Sequence, residues 1–172
     1  MALITLWTHG NALTVETPGD LESLSHRGWG TDLFVKEGSE PWFHIPIPTP
    51  THTRDAFFQL VKVFLLFETP ANSSSRIFEV HLFDGASDFQ AFTELERSGS
   101  HLTGPDSANT FVLPSPHFMY NGLGLTFHFI PDHGIDSLVG PTLLSIAAAG
   151  CEFESVNIKN ERSEKEIADL NR

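Results

Sequence analysis

Two tryptophan–histidine pairs are the residues of this chain best suited to chemistry. Trp7 and His9 stand two residues apart, and so do Trp42 and His44. Residues two apart in an extended strand lie on the same face, so each pair presents an indole beside an imidazole. An imidazole exchanges a proton near neutral pH, as a general acid or base must. The spacing therefore predicts His44 and His9 as catalytic residues.

The tryptophans are predicted to shape a ligand cavity around these histidines. Trp29 lies between Gly28 and Gly30, and glycines let a backbone or a ligand approach an indole closely. If the strands that carry the two pairs are neighbours, all these groups meet at one mouth. The alternative is that the tryptophans anchor the core and the histidines cap strand ends. The predicted ligand-binding residues are Trp7, Trp29, Trp42, Arg27 and Glu16.

The sequence predicts neither a metal site nor a cofactor. Nine histidines invite a metal hypothesis, but no zinc-type ligand motif and no EF-hand pattern is present. Carboxylates cluster in three segments, in which Asp and Asn are also ordinary turn formers. These segments are Asp84–Asp88, Asp106–Asn109 and Asp132–Asp136. The single cysteine, Cys151, lies in a small apolar run that predicts a buried, inert thiol.

Composition and charge narrow the classes of partner. The 172 residues are 40% hydrophobic and 19% charged, with 15 Phe against one Tyr. This excess of Phe favours burial or an apolar pocket, and hence a small-molecule ligand. Residues 1–155 carry the whole net charge of −12, which disfavours nucleic acid and membrane surfaces as partners. The N-terminus lacks the pattern of a signal peptide, so we expect a cytoplasmic protein.

The segment from Trp42 to Pro50 predicts an unusual strand. Its prolines at positions 46, 48 and 50 remove backbone N–H donors along one edge, which cannot then pair in full with a neighbouring strand. The period of two places Phe43, Ile45 and Ile47 on one face, which we expect in the core. The opposite face carries Trp42, His44 and the prolines.

The remaining pattern predicts an all-β domain. Nine or ten strand-like segments alternate with turn residues, and no βαβ alternation occurs. The run from Ala56 to Glu68 is continuously apolar, so we expect a central strand there, and His9-Gly10-Asn11 predicts a hairpin turn. Residues 77–84 and 123–130 each alternate an apolar face with a mixed one. A single antiparallel, jelly-roll-like β-sandwich is the predicted fold, with a closed up-and-down barrel as the alternative.

The C-terminal residues differ in kind from the body. Ser163-Glu164-Lys165-Glu166 is a capping box, and it predicts a short helix within a polar tail of residues 156–172. The β-sandwich domain is accordingly placed at residues 1–155. The neutral tail beside an acidic body also suggests a role in homo-oligomer formation.

Three motifs resemble those of a family of small bacterial and fungal proteins without a characterised activity. They are Trp7-Thr8-His9-Gly10-Asn11, Arg27-Gly28-Trp29-Gly30 and Trp42-Phe43-His44-Ile45-Pro46-Ile47-Pro48-Thr49-Pro50. The resemblance extends over residues 3–154 and includes Val80–Gly85. It implies one compact domain and supplies no catalytic residues.

Two classes of function fit this pattern best. The first is a binding protein for a small, largely apolar ligand, acting as a cofactor-independent isomerase or cyclase through His44 or His9. The second is a lectin-like carbohydrate-binding module without catalysis, in which exposed indoles stack on sugar rings. A structural or assembly protein is a third interpretation, suggested by the tail.

Overall fold

The computed structural model describes residues 2–50, 56–71, 73–132 and 140–157. This part of the chain is built almost entirely of β-strands, joined by turns and two short 3₁₀ segments, Gly10–Ala12 and Pro18–Asp20. None of its helices is long and apolar enough to cross a membrane. The strands are β1 (Leu3–His9), β2 (Thr14–Val15), β3 (Leu21–Arg27), β4 (Gly30–Val35), β5 (Trp42–Ile47), β6 (Ala56–Glu68), β7 (Arg76–Asp84), β8 (Ser87–Phe92), β9 (Thr110–Phe118), β10 (Leu123–Ile130) and β11 (Thr142–Asn157).

The strands form two antiparallel sheets in jelly-roll order. Sheet A runs β3-β4-β11-β6-β9, with β1 also paired to β11, and sheet B runs β2-β5-β10-β7-β8. Strands β4, β5, β6 and β7 pair with β11, β10, β9 and β8, respectively. Successive strands thus pair with partners in reverse chain order, as in a jelly roll. The predicted sandwich is confirmed, and the closed barrel is wrong because the described strands divide into two sheets. Strand β6 lies between β11 and β9, as predicted for a central strand.

The core lies between the inner faces of the two sheets. In sheet B, Phe43, Phe127 and Val80 are cross-strand partners and are all fully buried. The next inner row, Ile45, Leu125 and Leu82, is buried as well. Since each large aliphatic or aromatic side chain contributes about 1.5–3 kcal/mol when buried, these rows hold both the sandwich and its register.

Strand β5 has the partly unpaired edge that its prolines predict. It pairs with β10 along its whole length, whereas β2 pairs with it at Phe43 and His44, with one further backbone hydrogen bond from the Glu16 N–H to the Trp42 carbonyl, and does not reach Pro46. The Thr8 hydroxyl, not a backbone N–H, donates to the Pro46 carbonyl at 2.9 Å. A side chain therefore contacts this edge where Pro46 has no N–H to donate to a second neighbouring strand.

The structure corrects the predicted strand list at both ends of the chain. The hairpin predicted at His9-Gly10-Asn11 is wrong, because β1 belongs to sheet A and β2 to sheet B. Strands β3 and β8 were not predicted from the sequence, and none of their residues is buried, which explains why their hydrophobic pattern is weak. Residues 156–157 complete β11, while the predicted helix at 163–166 lies outside the described residues.

A close contact on β11 explains why the Trp7–Asn11 and Arg27–Gly30 motifs contain glycines at positions 10 and 30. One edge of β11 pairs first with β4, up to Ile146, and then with β1, from Ala148. At this junction a Cβ atom on Gly10 or Gly30 would lie 2.1 or 2.2 Å from the Ile146 carbonyl oxygen. Only glycine allows both chain segments to approach that carbonyl.

Asn11 and Thr31 join the two glycine motifs by hydrogen bonds. The Asn11 side-chain amide donates to the Arg27 carbonyl at 3.0 Å, and the Thr31 hydroxyl lies 3.0 Å from Asn11 Oδ1. Thr31 is fully buried and its hydroxyl lies 3.2 Å from the Gly10 carbonyl oxygen. The residues around Gly10 and Gly30 therefore form a structural junction between β1, β4 and β11.

Replacing Gly30 by alanine is expected to destabilise the fold strongly. The new Cβ atom would overlap the Ile146 carbonyl, and we expect a loss of about 3 kcal/mol in the free energy of unfolding. Gly28→Ala is the matched control, since a Cβ there meets no atom within 4 Å. Urea unfolding of both variants measures the difference, and equal stability of the two would contradict this account of the junction.

Candidate functional site

The outer face of sheet B brings chemistry-bearing side chains from three strands into register. Strand β10 lies between β5 and β7, and Thr126 is the cross-strand partner of both His44 and His81. On one side of this row lie Trp42, His128 and Glu79, and on the other lie Pro46, Gly124 and Phe83. Directly opposed residues on one face of a sheet are within contact distance. The face therefore places His44 and His81 on either side of Thr126. The row that contains Trp42 lies on one side of these three residues, and the row that contains Phe83 lies on the other.

A groove of about 540 Å³ runs over this face. Gly124 forms part of the floor of the groove and has no side chain. A Cβ atom added there would contact only Phe83, at 3.7 Å. Strand β2 ends beside the groove and is followed by Glu16, which forms part of its rim. The residues that line the groove include Glu16, Trp42, His44, His81, Phe83 and Gly124.

His44 is the partly exposed histidine of the groove. Its Nδ1 atom lies 3.0 Å from the Thr126 hydroxyl, which fixes the ring. Its Nε2 atom lies 3.5 Å from a Glu16 carboxylate oxygen, longer than an ordinary N–H···O hydrogen bond. Nε2 therefore remains accessible to a ligand, while Glu16 is close enough to stabilise a protonated ring.

His81 has both ring nitrogens bound to carboxylates. Nδ1 lies 2.8 Å from Asp88 Oδ2, and Nε2 lies 3.0 Å from Glu79 Oε2. Burial by itself would lower the pKa of His81, but the hydrogen bonds and charges of Asp88 and Glu79 outweigh it and raise the pKa. These contacts favour the charged form of His81 and leave neither ring nitrogen free.

Trp42 is held between two histidines. Its ring stacks on His128 with centroids 4.7 Å apart and meets His81 edge to face at 5.3 Å. Burial lowers the pKa of His128, and repulsion from His81 adds to this effect, although Glu40 and Glu79 oppose it. The stack on His128 and the edge-to-face contact with His81 hold Trp42 as one wall of the groove.

The structure brings together only part of the predicted site. Glu16, Trp42 and His44 line the groove, but β1 pairs with β11 in sheet A and not with β5. The predicted meeting of the two tryptophan–histidine pairs at one mouth is therefore wrong, because they belong to different sheets.

The other predicted site residues lie elsewhere in the fold. Trp7 stacks on Phe64 on the outer face of sheet A, and His9 Nδ1 accepts a hydrogen bond from the Asn11 N–H. Arg27 forms an ion pair with Asp32, with Nε and Oδ2 2.9 Å apart. Trp29 lies in the turn between β3 and β4 and is 47% exposed.

The groove residues that were not among the predicted site residues include His81, Phe83, Gly124 and Thr126. Their signal was nonetheless present in the sequence, as the mixed faces of the alternating segments 77–84 and 123–130. What the sequence lacks is the strand order that places both segments next to Trp42–Ile47.

The carboxylates of the predicted turn segments have protein partners. Asp84 accepts the N–H groups of Tyr120, Asn121 and Gly122 at 2.7–3.2 Å. Burial by itself would raise the pKa of Asp84, but these hydrogen bonds lower it. Within the described residues no group of three or more His, Cys, Asp or Glu side chains is placed to hold a metal ion. Residues 133–136 of the third segment lie outside the described residues.

Comparisons with known proteins place this jelly-roll sandwich in a family. The sequence matches the family of unknown function DUF6623 over residues 1–153, and the chain belongs to that family. No curated protein matches it. Among solved structures it is similar to a cyclase from Fischerella sp. TAU in complex with 4-(1H-indol-3-yl)butan-2-one, with 9% identity and a TM-score of 0.38. That match covers 88% of this chain and 89% of the cyclase chain, and a likeness at this TM-score carries no inference about function.

His81 and His128 are expected to titrate on opposite sides of pH 6.5, with His81 above and His128 below. Proton NMR titration of the histidine ring signals, assigned with His81→Gln and His128→Gln, measures both pKa values. Asp88→Asn removes one partner of His81 and should lower its pKa. A His81 pKa at or below 6.5 would contradict the two-carboxylate account.

The same shift makes a prediction about stability. Because the pKa of His81 is raised in the folded state, its ion pairs contribute fully below about pH 6.5. The advantage of the wild type over His81→Gln should therefore be largest there and should shrink as pH rises through the pKa of the folded state.

Proposed function

We propose that this protein binds a small, largely apolar, uncharged ligand in the groove on the outer face of sheet B. The observation that carries the proposal is the groove itself, with Trp42 and Phe83 as apolar walls and the two histidines at its centre. A concave apolar surface with a few convergent polar groups is typical of small-molecule sites. The side chains of Glu16, Glu79 and Asp88 nearby disfavour an anionic ligand.

His44 is the group proposed to contact the polar end of the ligand. Its Nε2 atom faces the groove rim, whereas Nδ1 is engaged by Thr126. With the ring proton on Nδ1, Nε2 presents a lone pair to the groove, where it would meet a hydroxyl or an acidic C–H group of an otherwise apolar ligand and fix the orientation of the ligand. The two nitrogens of His81 are both bound to carboxylates, so His81 supplies a fixed positive charge and not a proton-transfer group.

The same arrangement supports acid–base chemistry at carbon. In the proposed step, Nε2 of neutral His44 takes a proton from a ligand carbon that lies between a carbonyl and a C=C bond, and the electron pair of that C–H bond moves into a dienolate. Glu16 stabilises the imidazolium that forms, and the same nitrogen returns the proton to the far carbon of the original C=C bond, so that the double bond moves into conjugation with the carbonyl. This sequence needs no oxidant or reductant, and it is the chemistry of a cofactor-independent isomerase.

Filling the groove floor is expected to weaken ligand binding without unfolding the protein. Gly124→Val places a β-branched side chain in a strand, where the new Cβ atom meets only Phe83 at an ordinary contact distance. We expect the affinity for 2-tetralone, a neutral bicyclic ketone, to fall about tenfold or more when the groove is filled. Gly28→Ala, far from the groove, is the matched control.

Ligand-observed NMR titration measures the affinity of each variant for 2-tetralone. The proposal predicts binding to the wild type and to Gly28→Ala, and weakened binding to Gly124→Val. It is contradicted if the wild type does not bind, or if Gly124→Val binds equally well.

Proton transfer by His44 is tested by deuterium exchange into 2-tetralone in D₂O. The wild type should accelerate exchange at the carbons next to the carbonyl, and His44→Gln should lose about 100-fold of that acceleration. His9→Gln is the matched control, because His9 lies on the other sheet. Wild-type exchange at the buffer rate, or undiminished exchange with His44→Gln, would exclude the acid–base role while leaving the binding proposal to its own test.

A further inference from the structure

On the outer face of sheet A, the Trp7 indole lies against a glycine of the neighbouring strand. Trp7 lies over Gly150, its cross-strand partner, and a Cβ atom on Gly150 would be 2.5 Å from the indole ring. The indole reaches across this glycine to stack on Phe64, with centroids 5.3 Å apart and ring planes at 19°. Trp7 is nevertheless 40% exposed. The absence of a side chain at position 150 thus holds an indole against the sheet while leaving it accessible.

Trp7 lies between two adjoining depressions, each of about 510 Å³. Both are lined by Trp7 on the sheet and by Pro105 on the facing loop. We call the two depressions together the Trp7 trough. One half is polar, with hydroxyls from Thr5 and Thr110 and an ion pair in which Lys62 Nζ lies 2.7 Å from Glu152 Oε1.

The loop that faces Trp7 is held in place by its own hydrogen bonds. Asn109 is fully buried, and its side-chain amide donates to the carbonyls of His101 and Gly104 at 3.1 and 2.9 Å. Asp106 accepts hydrogen bonds from the Ala108 and Asn109 N–H groups and lies 2.7 Å from His101 Nδ1. The second wall of the trough is therefore pre-organised, which lowers the entropic cost of binding a ligand there.

We propose that the Trp7 trough is a second binding site, for an oligosaccharide of flat, β-1,4-linked pyranose rings. The axial C–H groups of such a ring form an apolar face that packs on an indole, whose π face is electron-rich. Its equatorial hydroxyls point sideways, where Lys62, Glu152 and the threonine hydroxyls supply hydrogen-bond partners. Two depressions on either side of Trp7 accommodate more than one ring.

This site is independent of the groove on sheet B. Trp7 pairs with β11 in sheet A, whereas Trp42 and His44 belong to sheet B. Gly124→Val, which fills the groove, should therefore leave sugar binding unchanged, and failure of one proposal does not imply failure of the other.

Cellotetraose is the probe for the test, read out by the indole N–H signals of the three tryptophans in ¹H–¹⁵N NMR spectra. The proposal predicts that titration shifts the Trp7 signal and leaves the Trp29 and Trp42 signals in place. Maltotetraose, whose α-linked chain curves, should shift the Trp7 signal much less at equal concentration. This readout uses the wild-type protein and does not depend on how well a variant folds.

Trp7→Ala should weaken cellotetraose binding about tenfold or more, because the stacking surface is lost. Trp29→Ala removes an indole of similar exposure outside the trough and is the matched control, with unchanged affinity expected. The proposal is overturned if cellotetraose leaves the Trp7 signal unmoved at millimolar concentration, or if Trp7→Ala binds it as well as the wild type does.

Discussion

The register of β5, β10 and β7 is the constraint on which the candidate site depends. On the inner side of these strands, Phe43 pairs with Phe127 and Ile45 with Leu125, and all four are buried. A slip of one residue would turn the buried set of a strand towards water, at a cost on the order of 10 kcal/mol for the inner rows, which approaches the whole stability of a domain. The buried faces thereby fix the outer faces, and the row His44, Thr126 and His81 follows from packing on the opposite side of the sheet.

Within that row the two histidines have different roles. His81 lies between Asp88 and Glu79 and is held by both, so its charge and orientation are set by the fold. His44 has one firm contact, to Thr126, and a looser one to Glu16 at the rim. A histidine held at both nitrogens beside one with an accessible nitrogen is the arrangement on which the proposed binding of a polar group rests. Trp42, stacked on His128, forms one side of this arrangement.

The sequence predicted the strands of this protein better than it predicted which strands pair with each other. Alternation and proline spacing indicated β5 and β10 and their inward faces, because these are local consequences of a two-residue period, and a continuous apolar run indicated β6. The partners of β1 could not be found in this way. Its pairing with β11 joins residues about 140 positions apart, and no local pattern encodes that choice.

The candidate site likewise contains residues that local sequence predicts and residues that only the strand order reveals. Trp42, His44 and Glu16 were predicted from nearby sequence and lie in the groove, whereas His81 and Thr126 needed the strand order to be seen. The glycines beside Trp29 predicted a close approach to its indole. At Gly30 the close approach is instead to the Ile146 carbonyl, and the glycine that lies against an indole is Gly150, beneath Trp7.

The central claim is that the outer face of sheet B is where an apolar ligand binds. The most direct test is a map of side-chain NMR shifts in the wild-type protein on addition of 2-tetralone. The account predicts that signals of Trp42, His44, Phe83 and Thr126 move together, while those of Trp7 and Trp29 stay in place. Shifts confined to Trp7 and its neighbours on sheet A, or no shifts on sheet B, would contradict it.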